Sequence, residues 1–170
     1  MLRLGPLRLH WSLLLGALLF CAAQPTPLLL LGYVTVLLVH VGGHLLAVAG
    51  TPLRLSGVLM HALGGELLGE GEVSPARRSF VALSGVLAQL ALLGAALWLP
   101  MPAELHEAFT RRNGLVLLFN LIPLKPLDGA QAWRLPGRLR AASRLKYRGA
   151  MRSSRQVQKD VADLLKRLRR

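Results

Sequence analysis

Charge is missing from two long stretches of this sequence. No Lys, Arg, Asp or Glu occurs between Arg8 and Arg54, and none between Arg78 and Glu104; Leu, Ala and Val dominate both intervals. A surface helix of a soluble protein needs a polar face, so these absences exclude an ordinary soluble fold. A crossing helix needs ~20 apolar residues to span a ~30 Å hydrocarbon core, which leaves room for two crossings in the first interval and one in the second. Cysteine is nearly absent as well. Cys21 is the only one, which excludes an intrachain disulfide and leaves the redox compartment unread. Aromatic residues make up 5% of the chain, and Tyr147 is the only one beyond Trp133.

What is present in excess is positive charge, and it is concentrated. The formal net charge is +13, yet residues 134–170 alone carry thirteen Lys/Arg against Asp160 and Asp163. Everything before residue 134 is close to balanced. The basic excess therefore belongs to a tail, and the positive-inside bias places that tail on the cytoplasmic side beside an anionic leaflet. Nucleic acid is not the expected partner, because stacking aromatics are almost lacking from the tail. Val157, Val161, Leu164, Leu165 and Leu168 recur at helical spacing among Lys and Arg, the pattern of an amphipathic helix on the inner leaflet of anionic lipids.

The spacing predicts an all-α polytopic membrane protein with about four transmembrane helices, near 9–24, 28–49, 79–99 and 113–133. Residues 1–133 form the membrane domain and 134–170 a basic cytoplasmic tail. Pro25 and Pro27 split the first uncharged run, and Pro100 and Pro102 end the third span. Residues 1–23 read as an uncleaved first span rather than a signal peptide. With the tail inside, four spans put the N-terminus and the 50–78 loop inside too, each carrying arginines. The expected location is a bacterial cytoplasmic membrane, with both termini cytoplasmic. Alternation around Pro52–Val58 suggests a short strand in the 50–78 loop. That segment is either re-entrant, shielded by protein or a wet cavity, or a loop lying at the interface.

Two motifs carry chemistry. His40-Val41-Gly42-Gly43-His44 puts two imidazoles one helical turn apart on one face, where both reach one metal ion or bond to neighbouring helices. Ionisable side chains inside a membrane are costly and mark functional sites. In the fourth span stands Asn120-Leu-Ile-Pro-Leu-Lys-Pro-Leu-Asp128-Gly129. Pro123 and Pro126 unwind that helix, so Asp128 either projects into the bundle or N-caps a following helix. Spans two and four run in the same direction, which brings His40, His44 and Asp128 to a similar depth. Two His and one Asp suit a catalytic zinc site with an open position, and equally a non-haem Fe(II) centre.

With these residues the chain resembles the site-2 protease family of intramembrane zinc metalloproteases. That family pairs HExxH with an NxxPxxPLDG-like motif, matched here by Asn120, Pro123, Pro126, Leu127, Asp128 and Gly129. Val81–Leu90 resembles its small-residue third core helix, with Val86 and Gln89 departing from the family's proline and asparagine. The Gly50–Gly65 loop resembles its re-entrant segment. The resemblance implies Zn2+ held by His40, His44 and Asp128, with Asn120 as a helper positioning substrate or water, and a transmembrane substrate or client helix as partner. The family's glutamate is replaced by Val41. General acid–base help is worth ~10²–10⁴-fold, so the leading expectation is a zinc-binding protein with weak or absent peptidase activity. One alternative is an active endopeptidase drawing its base from Glu66, Glu70 or Glu72. Another is a membrane metal-handling protein.

Overall fold

The computed structural model describes all residues except 23, 50, 126, 142, 146–157, 160 and 162–170. Met1–Arg134 make one unit and Leu135–Arg170 a second. In the second unit residues 135–141 and 143–145 are helical. The expected amphipathic helix at 155–170 lies almost wholly outside the described residues.

The first unit is mostly helical, but the all-α expectation needs correction, because it contains a four-stranded sheet of order β1-β2-β3-β4. β1 (Leu2–Leu4) and β2 (Leu7–Leu9) form an antiparallel hairpin. Its two-residue loop begins at Gly5, whose φ of 61° suits glycine. The run Leu-Arg-Leu-Gly-Pro-Leu-Arg-Leu alternates with period two, and that alternation overrides the reading of Arg3 and Arg8 as flanks of a helix. β2 pairs in parallel with β3 (Arg54–His61), and β3 pairs antiparallel with β4 (Gly64–Glu70). Within the 50–78 loop, residues 54–70 thus form a β-hairpin.

Helix α1 (Ser12–Phe20) has nine residues, a rise of ~14 Å, and does not reach across a hydrocarbon core. Two helices are long and apolar enough to cross a membrane: α2 (Pro27–Val48) and α3 (Pro75–Trp98). Each starts with a side-chain cap, Thr26 Oγ1 to the Leu29 N–H and Ser74 Oγ to the Arg77 N–H, and each has proline in its first turn. The region of the expected fourth span is segmented. It comprises α4 (Ala103–Glu107), a π-helical turn at Ala108–Arg112, α5 (Asn113–Asn120), an irregular stretch, and α6 (Gly129–Ala132). Pro123 follows α5, and proline cannot continue a helical ladder. Among the described residues two helices pass the length and hydropathy expected of a crossing, and four crossings are not confirmed.

Packing binds the hairpin to the helices. Leu29, Tyr33, Val36, Leu37, Val41, Met60 and Ala108 belong to one buried apolar cluster, with Val58 and Leu63 against it. Tyr33 donates its hydroxyl to the Ala62 carbonyl at 3.0 Å, joining α2 to the hairpin turn. Arg112 pairs with Glu107 at 2.8 Å and also donates to the Phe20 carbonyl, which ties α1 to the π-helical turn.

Candidate metal centre

Helical spacing puts His40 and His44 on the face of α2 that meets α3, and both are almost fully buried. On α3, Val81, Gly85 and Gln89 recur every fourth residue and so form one stripe. Each member of that stripe meets an imidazole. His44 Nδ1 donates to the Val81 carbonyl at 2.7 Å, and His40 Nδ1 donates to Gln89 Oε1 at 3.1 Å. Gly85 lies flat beneath both rings: a Cβ there would stand 2.5 Å from His44 Nε2 and 2.8 Å from His40 Cε1. Gly64, at the start of β4, presses on His40 from the other side, where a Cβ would stand 2.6 Å from Nε2.

Asp128 arrives from the irregular stretch. The Leu121 and Ile122 carbonyls fold back onto Gly129, where a Cβ would collide with them, and Trp133 Nε1 donates to the same Leu121 carbonyl at 2.7 Å. This turn carries Asp128 into the bundle. Its backbone does precede α6, but its side chain makes no capping bond. Instead Asp128 Oδ2 lies 3.1 Å from His40 Nε2 and 3.2 Å from His44 Nε2, and the two Nε2 atoms are 3.1 Å apart.

Three atoms so arranged suit a cation. The partner of each Nδ1 is a carbonyl oxygen, which places a proton on Nδ1 and leaves Nε2 of each ring to face Asp128, with a lone pair free for a metal when the ring is neutral. Asp128 Oδ2 is buried, with the two Nε2 atoms against it. Three lone-pair atoms therefore converge, an arrangement that a shared positive charge stabilises. Donor atoms around a tetrahedral zinc with ~2.0–2.1 Å bonds lie roughly 3.3–3.4 Å apart, so the triangle already has nearly that size. His40, His44 and Asp128 could hold a metal ion.

The triad forms one wall of a cavity of about 300 Å³, also lined by His61, Glu66, Asn120 and Gln131. Asn120 is buried and spends its amide N–H on the Leu63 carbonyl at 2.7 Å, clamping the hairpin turn beside the triad. Of the three loop glutamates, Glu66 lines the cavity; Glu70 and Glu72 are exposed and are not among its described lining. Val41 faces elsewhere. It is buried in the apolar cluster, and its Cγ2 would stand 2.6 Å from a Cβ on Gly65. His61, Gly64 and Gly85 had no assigned role in the sequence. The every-fourth-residue stripe on α3, in antiparallel register with His44 and His40, was the signal for Gly85 and for what Gln89 does.

No family profile and no curated protein matches the sequence. Among solved structures the fold is similar to the site-2 protease from Methanocaldococcus jannaschii, with a TM-score of 0.61 and 17% identity over 79% of this chain and 68% of that one. A likeness at that identity carries the fold, and two of the described helices are long and apolar enough to cross a membrane.

Proposed function

We propose that this chain is a site-2-protease-like zinc protein of the membrane whose peptidase activity is weak. The observation that carries the reading is the convergence of three acceptor atoms, each 3.1–3.2 Å from the next, with both Nδ1 protons already engaged. Zinc bound there supplies Lewis-acid polarisation of a substrate carbonyl and a lowered pKa for water. The chain's own residues do the rest. Val81 and Gln89 fix the two imidazoles, Asn120 fixes the hairpin turn, and the open cavity admits an extended backbone. Val41 cannot carry a proton, so turnover falls below that of an enzyme with a carboxylate at this position. An unwound transmembrane segment suits the cavity as substrate or client, with the basic tail held against anionic lipid on the cytoplasmic side.

Metal analysis of the purified protein tests the reading. About one zinc per chain is expected, with loss in His44→Ala and in Asp128→Ala, since a catalytic zinc site rests on three protein ligands. Full retention in both variants would remove the site.

A further inference from the structure

We propose that His61 is the proton carrier that position 41 lacks: its imidazole takes a proton from the attacking water and returns it to the leaving amine. This inference rests on the zinc reading above. The strand register places it. His61 pairs directly with Gly64 across the hairpin, and cross-strand partners hold their Cβ positions ~4.5–5.5 Å apart on one face. The Gly64 Cβ position is 2.6 Å from His40 Nε2. His61 therefore projects from the hairpin face that presses on the triad, and it lines the same cavity as His40, His44 and Asp128.

Its position suits a base better than a ligand. The donor atoms of His40, His44 and Asp128 lie within 4.8 Å of one another, and His61 falls outside that group. The competing candidate, Glu66, pairs with Leu59; that is two residues farther along the strand, ~7 Å beyond Gly64, and it is exposed. The groups facing His61 are His40, Asp128, Glu66 and His10. Histidine is the side chain whose ordinary pKa suits taking up and returning a proton near neutral pH.

The step balances. As the water oxygen bonds to the peptide carbonyl carbon, one water proton passes to the imidazole. As the C–N bond breaks, that proton moves to the departing nitrogen, and His61 returns to its neutral form. The products are a carboxylic acid and an amine, with no further reactant.

The test uses the full chain in lipid vesicles, with a transmembrane substrate helix interrupted by Gly and Pro, and reads both zinc content and cleavage. Slow cleavage is expected for wild type. His61→Gln should keep its zinc and lose cleavage by ~10²-fold or more, the typical worth of a proton carrier. In a Val41→Glu background the same substitution should change the rate little, because the carboxylate then carries the proton. A purely structural role for His61 would lower both backgrounds alike and overturn the proposal. So would zinc loss in His61→Gln, which would make it a ligand, or loss of cleavage in Glu66→Gln but not in His61→Gln. A wild type that holds zinc yet never cleaves would sink the proposal and leave the zinc reading standing. A wild type without zinc would sink that reading itself.

Discussion

Gly85→Ala adds one methyl group at the point where both imidazoles rest on α3. The new Cβ would stand 2.5 Å from His44 Nε2, 2.7 Å from His44 Cε1 and 2.8 Å from His40 Cε1, roughly 1 Å inside the ~3.5 Å optimum for such contacts. Neither ring can swing away freely. His44 is tethered to the Val81 carbonyl at 2.7 Å and His40 to Gln89 at 3.1 Å. Overpacking of this kind costs about 1–3 kcal/mol, partly offset by the ~1 kcal/mol that alanine gains over glycine in a helix. The larger effect falls on the metal, since disturbing what orients a ligand typically costs ~10–100-fold in affinity. Competition against a chelator of known zinc affinity measures that loss. Gly42→Ala is the control: it sits between the two histidines on α2, and nothing lies within 4 Å of its Cβ position. It should bind zinc as wild type does and gain about 0.5–1 kcal/mol of stability. Equal zinc affinity in the two variants would refute the claim that Gly85 sets the imidazole positions.

Gln89→Leu removes the acceptor for His40 Nδ1–H at nearly constant volume; zinc affinity should fall ~10–100-fold by the same competition assay, and unchanged affinity would show that the hydrogen bond does not orient the ligand. Val41→Glu should retain zinc and melt at a lower temperature, and introduced into His61→Gln it should raise cleavage of the transmembrane substrate by up to ~10²–10⁴-fold; retained zinc with no gain in rate would mean that position 41 cannot reach the reacting atoms.

The donor set was legible because its signals are local. An i, i+4 histidine pair and an Asp in a proline-broken segment declare themselves by spacing and by their cost in an apolar setting. The second hairpin was half legible, from alternation around Pro52–Val58 and the glycines after it. Two things were hidden for definable reasons. The N-terminal hairpin is only three residues a side, and its arginines look the same as the flank of a membrane helix. It becomes a hairpin because β3 supplies a parallel partner for Leu7–Leu9 some fifty residues later, which no local pattern announces. The place of His61 was hidden too, because it depends on the β3–β4 register: shifting the pairing by one residue would send it to the opposite face. Asn120 was expected to position substrate or water; in the structure it lines the cavity and its amide meets the Leu63 carbonyl, a contact fixed by tertiary packing alone.

A valine at position 41 and an intact His40–His44 pair are compatible because adjacent helical residues face different neighbours. At 3.6 residues per turn, position 41 points about 100° away from position 40. His40 and His44 look toward α3 and take their orienting bonds from Val81 and Gln89, whereas Val41 looks toward the hairpin, in the cluster with Leu37 and Met60. Nothing that orients the imidazoles passes through residue 41. Valine there gains the ~1.5–3 kcal/mol of a fully buried aliphatic side chain and lets the Gly65 backbone come close against it. A glutamate in that place would leave its carboxylate against the hairpin, needing water or a donor to offset burial. Because Gly65 also lines the cavity, the most accessible relief for such a carboxylate is to extend past Gly65 toward the metal side. Tighter hairpin docking and proton transfer thus compete for one position, and in this chain the docking contact holds it.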